Sequence, residues 1–409
     1  MTVKELIARS KAAQAAFAFA TQEQADAAAR AICKVVYDNA EKLGPMAAEE
    51  SRMGSEQDKI AKCRNKSALI WESLKDKKSC DIINRIEERR MIEVAKPVGV
   101  VASIIPSTNP VVTPMSNGAF ALKCRNSVIF APHPRAVKCT KLLVEMFRAE
   151  LKKLGLPEDL VLGLEEVSND LTSELMSAAD MVVATGGMGM VKAAYSSGKP
   201  AIGVGQGNVQ CIIDEDADIA DAVGKIIIGR AFDNGLICLG EQTVFVPEDK
   251  EAEFVAEMKK QGGYLVEGEE NVDKLREGLF PGGDAFSRVV VGMFADQVSD
   301  EIGLGAPKGT RVLFAKAKAL GAGDVLCREK LCPVIAYMTY KTFKEGVAMM
   351  EANLEHEGKG HSIAVHSNTP ENVEYAAIRC CVSRVVVNQP SGTTGGGSPT
   401  NGFTPTTPL

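Results

Sequence analysis

The stretch MVVATGGMGMVKAAYSSG, residues 181–198, decides the fold class of this chain. A run of strand-forming residues passes through Gly186, Gly187 and Gly189 into a helix-forming run, which predicts a strand, a tight turn and a helix. The backbone N–H groups of such a turn can approach a phosphate at the start of the helix. The stretch lacks the complete G-x-G-x-x-G fingerprint of dinucleotide sites, so a strand-to-helix turn without a ligand explains it equally well.

The same alternation extends in both directions from this stretch. Residues before about 95 are charged and favour helices, with NKSALIWESLKDKK (65–78) the clearest amphipathic segment. Beyond that point, short apolar runs alternate with helical ones; the runs are GVVASIIP (99–106), SVIFAPHP (127–134), VQCIID (209–214), TVFVP (243–247), RVVVGMF (288–294), PVIAYMTY (333–340), HSIAVHS (361–367) and SRVVVNQP (383–390). Strands separated by helices of about ten to fifteen residues indicate βαβ units. The predicted fold class is therefore α/β, with two largely parallel sheets.

A chain of 409 residues is long enough for two domains, each with its own core. The glycine-rich crossing SSGKPAIGVGQGNVQCIID (196–214) marks the predicted boundary between a nucleotide-binding domain, residues 1–204, and a catalytic domain, residues 205–388. The tail NQPSGTTGGGSPTNGFTPTTPL (388–409) is too poor in apolar residues to form a core. We expect residues 389–409 to return to the first domain as an extended or covering loop.

The composition argues against several classes of function. The chain is 45% apolar and 24% charged with a net charge of −6, and its Lys and Arg residues are spread out, so neither a nucleic acid nor a membrane is an expected partner. The N-terminus lacks the layout of a signal peptide, which favours the cytoplasm. Eleven cysteines without C-x-x-C spacing indicate thiols in a reducing compartment. The segment HEGKGH (356–361) is not the H-E-x-x-H zinc motif, and no metal site is expected.

Three polar residues lie where chemistry is plausible. The segment RAFDNGLICLGEQTVFV (230–246) places Cys238 in a loop between a helix and a strand, and loop thiols near helix termini can react as thiolates. The Asn109 amide follows a strand in a Pro-rich turn and can donate to a developing oxyanion, although Asn before Pro is also a common turn pair. His133 follows another strand at the end where α/β sheets bind ligands, although a surface loop histidine fits equally well.

Taken together in order, these segments resemble the aldehyde dehydrogenase superfamily, specifically its CoA-acylating branch. The resemblance covers essentially the whole chain and is carried by PSTNPVVTP, APHP, VATGG, AYSSGKPAIGVGQGN, FDNGLICLGEQ, EKLCPV, GKGHS and VNQPSGTTGG. It implies an aldehyde dehydrogenase-like fold, with a Rossmann-type nucleotide-binding domain and a second α/β domain that carries a cysteine nucleophile.

The resemblance also implies roles for individual residues. Cys238 is the expected nucleophile, and the Asn109 side chain and the Cys238 backbone N–H would hold the oxyanion. His361 would lie near the thioester and help to deprotonate an incoming thiol, or would only pack at the start of a strand. The expected cofactor-binding residues are Ser107, Thr108, His133, Pro134, Thr185, Gly186, Gly187, Gly205 and Glu329, of which Glu329 would bind the nicotinamide ribose and VATGG the pyrophosphate.

The second half-reaction depends on Gly203. Hydrolytic members of the superfamily carry a glutamate base in an E-L-G-G segment, and the matching segment here is GVGQGN (203–208). Without a base to activate water, the thioester is expected to pass to CoA, giving acyl-CoA with NAD or NADP as the oxidant. The alternatives are a non-acylating aldehyde dehydrogenase that releases the free acid and a truncated, inactive subunit that only binds nucleotide.

The aldehyde and the assembly are left open by the residues alone. Acetaldehyde and short aldehydes with an acidic tail, succinate semialdehyde or sulfoacetaldehyde, are the expected candidates. Arg230 and Arg135 would meet such a tail or would be solvated surface arginines. A homodimer or higher homo-oligomer is expected, although the chain ends at NGFTPTTPL, where family members continue into a strand that helps to build the oligomer.

Overall fold

The computed structural model describes residues 1–405, which form two compact units. The first unit contains residues 1–52, 56–205 and 404–405, and the second contains residues 53–55 and 206–403. The chain crosses from one unit to the other between Gly205 and Gln206, inside the glycine-rich segment in which the boundary was predicted. The functional roles assigned to the two domains remain predictions.

The first unit is an α/β structure with a parallel sheet. Its elements in chain order are α1 (Val3–Phe17), α2 (Gln22–Asp38), α3 (Ala40–Ser51), α4 (Glu56–Leu74), β1 (Asp81–Ile86), β2 (Met91–Ala95), β3 (Val100–Ile104), α5 (Val112–Lys123), β4 (Ser127–Ala131), α6 (Val137–Lys153), β5 (Val161–Gly163), α7 (Asn169–Ala178), β6 (Met181–Thr185), α8 (Met188–Tyr195) and β7 (Ala201–Val204). The five-stranded sheet has the order β5-β4-β3-β6-β7, and every neighbouring pair is parallel.

Both faces of this sheet are covered, which explains the uninterrupted apolar runs of its central strands. In β4, Val128 and Phe130 join one apolar cluster, while Ile129 and Ala131 join another. Because successive side chains of a strand point to opposite faces, the two clusters are the cores on either side of the sheet. Val128, Ile129 and Phe130 are all fully buried.

A hairpin was missed in the region predicted to be helical. Strands β1 and β2 pair antiparallel as a separate two-stranded sheet, and a turn at residues 87–90 connects them. Arg90 in that turn has the left-handed conformation, with φ of 50°. The Ile and Val residues of DIINRI and MIEVA favour strands, although neither segment alternates strictly, and the high charge of the region concealed the signal.

The second unit contains a larger parallel sheet. Its elements are β8 (Val209–Ile213), α9 (Ile219–Ala231), β9 (Glu241–Pro247), α10 (Glu251–Lys260), β10 (Gly263–Leu265), α11 (Glu269–Leu279), α12 (Ala295–Ile302), β11 (Val312–Lys316), β12 (Val334–Tyr340), α13 (Phe343–His356), β13 (Gly360–His366), α14 (Pro370–Arg379), β14 (Val382–Val387) and α15 (Ser391–Thr394). The strand order is β10-β11-β12-β9-β8-β13-β14, again with parallel neighbours throughout. The predicted α/β class with two largely parallel sheets is confirmed.

One predicted strand of this unit is wrong. Residues 288–294, RVVVGMF, form bends and a turn. Gly292 has φ of +68°, outside the range of a strand, and its N–H donates to the Leu331 carbonyl at 2.8 Å. Val290 is buried while Val289 is 56% exposed. The segment is therefore a loop that is held to the core by individual side chains such as Val290.

The tail also differs from the expectation. Residues 389–403 group with the second unit and include the short helix α15, whereas we expected all of residues 389–409 to return to the first unit; only residues 404–405 do so among those described, and residues 406–409 lie outside the described part of the chain. The small residues of the tail allow close backbone packing: a Cβ on Gly392 would collide with the Gly229 carbonyl of α9. In the part of the chain that the structure describes, no helix has the length and apolar character needed to cross a membrane.

Candidate active site

The predicted cofactor residues of the first unit follow the carboxyl ends of four parallel strands. They are Ser107 and Thr108 after β3, His133 and Pro134 after β4, Thr185, Gly186 and Gly187 at and after β6, and Gly205 after β7. Strands β4, β3, β6 and β7 are adjacent, so these residues lie along one edge of the sheet. From β3 the chain adds β4 and β5 on one side of that strand and then crosses to add β6 and β7 on its other side. This reversal is a topological switch point, the usual place for a ligand in an open α/β sheet.

The glycine turn after β6 is open to an approaching ligand. Gly187 is the N-cap of α8, and a Cβ at Gly187 or Gly189 would meet no atom within 4 Å. A Cβ at Gly186 would meet only the Met190 side chain, at 3.5 Å. The hydroxyl of Thr185 is buried without a hydrogen-bond partner in the structure. Exposed N–H groups at a helix N-terminus beside an unsatisfied hydroxyl fit a phosphate of a nucleotide.

Asn109 is held by a lysine that sequence reasoning missed. Lys62, on α4, donates from Nζ to the Asn109 Oδ1 atom at 2.7 Å, and Lys62 is only 6% exposed. The Asn109 carbonyl accepts the Thr113 N–H at the start of α5, at 3.3 Å. Lys62 lies in a charged amphipathic segment, where a lysine is normally solvated, and no local signal marks it as buried.

His133 is at the surface of the first unit. Its side chain is exposed, and Nδ1 accepts the backbone N–H of Arg135 at 3.1 Å, which caps a short 3₁₀ turn. Pro134 and Arg135 are exposed as well. The three residues therefore lie at the carboxyl end of β4, accessible to solvent.

The predicted residues of the second unit lie at the opposite strand ends. Cys238 precedes β9, Glu329 precedes β12, and His361 is the second residue of β13. Strands β12, β9, β8 and β13 are adjacent, so the amino ends of these strands bring the three residues to one edge of the sheet. Cys238 lies in a turn and is partly exposed, whereas eight of the other cysteines are buried.

Gly207 connects the Cys238 turn to Glu329. A Cβ on Gly207 would overlap the Cys238 carbonyl oxygen and would lie 3.0 Å from the Cys238 Cα atom. The Gly207 N–H donates to Glu329 Oε1 at 2.8 Å, and the Glu329 N–H donates to Glu357 Oε1 at 2.6 Å. Burial raises the pKa of Glu329 to about 7. The turn that contains Cys238 and the Glu329 carboxylate are thus both in contact with one glycine.

Two buried charged residues flank the same turn. Arg230, at the end of α9, is completely buried and donates from Nη2 to the carbonyls of Lys330 and Cys332. Glu241, at the start of β9, is also completely buried and accepts the Ser391 N–H at 2.7 Å. Burial lowers the pKa of Arg230 to about 10 and raises the pKa of Glu241 to about 8.

The burial of Arg230 corrects the sequence interpretation. We considered it either a contact for an acidic substrate tail or a solvated arginine, and both are wrong because its guanidinium is enclosed and bonded to backbone carbonyls. Its partners lie about a hundred positions along the chain, so no local pattern reports them.

His361 is buried and electrically neutral. Its side chain is 6% exposed, and neither ring nitrogen has a hydrogen-bond partner in the structure. Burial, with a smaller effect of the Arg384 cation, lowers the pKa of His361 to about 4. A neutral imidazole can accept a proton, so His361 has the protonation state that a general base requires.

Arg384, on β14, is a second residue that sequence reasoning missed. Its Nη1 donates to the Gly395 carbonyl at 3.0 Å, and Gly395 packs against Leu239, because a Cβ there would lie 3.0 Å from Leu239 Cδ2. Through Gly395, the Arg384 guanidinium is therefore close to Leu239, the residue after Cys238. Within residues 1–405, no group of three or more His, Cys, Asp or Glu side chains is arranged to hold a metal ion.

Known proteins similar to this chain include several aldehyde dehydrogenases. The aldehyde dehydrogenase family profile matches residues 1–274. The succinate-semialdehyde dehydrogenase (acetylating) of Clostridium kluyveri is 48% identical over 409 residues, which cover 100% of this chain and 90% of that protein. The sulfoacetaldehyde dehydrogenase of an Acholeplasma species is 40% identical over 98% of this chain and 84% of its own length. The crystal structure of Rhodopseudomonas palustris propionaldehyde dehydrogenase with bound propionyl-CoA matches with a TM-score of 0.89 and 27% identity, covering 100% of this chain and 89% of that one.

Proposed function

This chain belongs to the aldehyde dehydrogenase family, and we propose that it is a CoA-acylating member that converts a short aldehyde, CoA and NAD(P)⁺ to acyl-CoA and NAD(P)H. The observation that carries the acylating assignment is the packing at Gly203, on β7. A Cβ there would lie 2.9 Å from Val191 Cγ1 and 3.0 Å from Tyr195 Cε2, both on α8. Gly203 itself offers no carboxylate to activate water, and a larger residue there would require the Val191 and Tyr195 side chains to move.

The reaction begins with the thiolate of Cys238. It attacks the aldehyde carbon, a C–S bond forms, and the carbonyl electron pair moves to the oxygen. We propose that the Cys238 backbone N–H and the Asn109 side-chain amide donate to this oxyanion. The product of this step is a thiohemiacetal on Cys238.

Oxidation of the thiohemiacetal leaves a thioester. NAD(P)⁺, when bound, accepts the hydride that the former aldehyde carbon loses. The open glycine turn at Gly186 and Gly187 and the unsatisfied Thr185 hydroxyl support this turn as the pyrophosphate site. Glu329, which accepts the Gly207 N–H, is proposed to bind the nicotinamide ribose. Ser107, Thr108, His133, Pro134 and Gly205 complete the proposed cofactor site, since they lie at the same sheet edge as the turn.

CoA completes the cycle. Its thiol loses a proton and attacks the thioester carbon, the bond to Cys238 breaks, and the cysteine leaves as a thiolate ready for the next turnover. His361 is proposed to accept the thiol proton, and its neutral, unpartnered imidazole supports this role. CoA also carries an ADP moiety, so the nucleotide site can serve both carriers in turn.

We also propose a substrate class, an oligomeric assembly and a cellular location, each on a separate observation. The two relatives of 40% identity or more named above are a succinate-semialdehyde and a sulfoacetaldehyde dehydrogenase, and we propose an aldehyde with a carboxylate or sulfonate tail. A homo-oligomer is supported by the β1–β2 hairpin, where Ile82, Met91, Ile92 and Val94 are each at least 40% exposed. A cytoplasmic location is supported by cysteines that form no disulfide within residues 1–405.

The test is a turnover assay with and without CoA. The protein is mixed with NAD⁺ or NADP⁺ and with acetaldehyde, propionaldehyde, succinate semialdehyde or sulfoacetaldehyde, and reduced nicotinamide is followed by absorbance. We expect steady turnover only with CoA, highest rates with the two anionic aldehydes, and none in Cys238→Ala. Equal turnover without CoA, with a free acid as the product, would move the protein to the hydrolytic branch. Nucleotide binding with no reduced nicotinamide at all would contradict an enzymatic role.

A further inference from the structure

We infer that Lys62 is a positioning residue that orients the Asn109 amide toward the reacting carbonyl oxygen. The inference rests on the proposed function, because it assigns a purpose to the contact between Lys62 and the proposed oxyanion donor. It concerns residues of the first unit only, α4 and the loop between β3 and α5.

The hydrogen bond fixes which end of the amide is available. An ammonium group has three donors and no acceptor, so Lys62 can bind the Asn109 amide only through Oδ1. The 2.7 Å bond therefore holds the oxygen toward α4 and leaves the Nδ2 donors directed away from it. An unrestrained amide could rotate and present its oxygen to the oxyanion, which would repel it.

Burial makes this restraint strong. Lys62 is 6% exposed, and the main chain of Asn109 is itself fixed because its carbonyl accepts the Thr113 N–H at 3.3 Å. Hydrogen bonds to an ionised donor are roughly twice as strong as neutral ones. In a low-dielectric environment the cation also polarises the amide, which makes the Nδ2 hydrogens better donors.

Both effects grow as negative charge develops on the substrate oxygen. The aldehyde is neutral before attack, so the oriented and polarised amide interacts more strongly with the transition state than with the bound substrate. Removal of Lys62 should therefore lower kcat and leave KM for the aldehyde nearly unchanged.

A double-mutant cycle tests whether Lys62 acts through Asn109. Wild type, Lys62→Met, Asn109→Ala and the double variant are compared by the rate of the first-turnover burst of NAD(P)H. We expect Asn109→Ala to be slower by about 10²–10³-fold and Lys62→Met by about tenfold or more. The double variant should be no slower than Asn109→Ala, because a residue that acts only through the amide has no effect once the amide is gone. Multiplicative losses would overturn the inference.

Two controls separate this result from other causes. Lys75→Met removes an exposed lysine just beyond the end of α4, where it pairs with Glu72, and should match wild type. Alkylation of Cys238 by iodoacetamide should be equally fast in every variant, and it can be read by mass spectrometry on the tryptic peptide 231–250, which contains no other cysteine. If wild type shows a burst and Lys62→Met shows the same burst rate, the inference is rejected while the proposed function stands. If wild type shows no burst, both the inference and the proposed function are rejected.

Discussion

The contact between Gly207 and the turn that contains Cys238, the proposed nucleophile, leads to a quantitative prediction for Gly207→Ala. A Cβ at this position would overlap the Cys238 carbonyl oxygen and would lie 2.7 Å from the carbonyl carbon, where ordinary contacts are 3.4 Å or longer. Both neighbours are backbone atoms and cannot rotate away, so the turn must move by about 1 Å, a displacement that can cost on the order of 10² in rate.

The stability cost should be modest compared with the catalytic cost. Overpacking by one methyl group typically costs about 1–3 kcal/mol, which leaves a folded protein. The backbone N–H that Gly207 donates to Glu329 is retained in alanine, so the effect is steric and confined to the turn. We expect a burst rate lower by about a hundredfold, with cooperative thermal unfolding preserved.

Gly224→Ala is the matched control in the same unit. Its Cβ would meet only the end of the Gln261 side chain, at 3.0 Å from Oε1, and that side chain can move. Alanine also favours the α9 helix by up to about 1 kcal/mol, so this variant should be fully active and at least as stable as wild type. A Gly207→Ala enzyme with the wild-type burst rate would show that the turn tolerates the shift and would refute the reasoning.

Two further predictions concern protonation. Burial lowers the pKa of Arg384 while the Cys238 thiolate raises it, so the guanidinium must reciprocally favour the thiolate. Arg384→Gln, which keeps a donor for Gly395, should move the midpoint of Cys238 alkylation to higher pH, and Arg384→Lys should not; equal shifts in both variants would assign the effect to geometry rather than charge. Burial raises the pKa of Glu241 from 4.5 to about 8, so between these pH values the native state holds a proton that the unfolded chain has released. The free energy of unfolding that depends on this carboxyl is therefore full below pH 4.5 and is lost as the pH rises toward 8. Chemical denaturation of Glu241→Gln should therefore show a shallower loss of stability between pH 4.5 and 8 than wild type, and parallel curves would contradict the protonated carboxyl.

The parts of the fold that could be predicted are those with local signals. The strand, glycine turn and helix at residues 181–198 follow from short-range pattern, and the structure has β6, the turn and α8 there. The position of Cys238 in a turn before β9 follows in the same way. Residues 288–294 show the limit of this reasoning, because an apolar β-branched run also suits a loop that is anchored by one buried valine.

The parts that could not be predicted depend on distant partners. Lys62 contacts Asn109 across 47 positions, and Arg230 contacts the Lys330 carbonyl across 100. Each of these cations lies in a helix, and from the local sequence alone a charged residue of a helix is expected to be exposed to solvent. Only the assembled fold brings a carbonyl oxygen to each one, so a buried role for a lysine or arginine is a property of the tertiary structure.

The two units also differ in which ends of their strands carry the predicted site residues, and this difference bears on the charge near Cys238. In the proposed function the first unit binds nucleotide at the carboxyl ends of its strands, where the next helix begins and its N-terminus favours negative charge. The second unit places Cys238 at the amino end of β9, after α9 has ended, so the helix that leads into the turn presents its C-terminus, the end that disfavours a thiolate. The sequence analysis noted only that loop thiols near helix termini can react as thiolates, and the C-terminus of α9 would not favour one. A thiolate at Cys238 would be favoured by a cationic side chain, and Arg384 is a partly buried cation on whose pKa Cys238 has a raising effect.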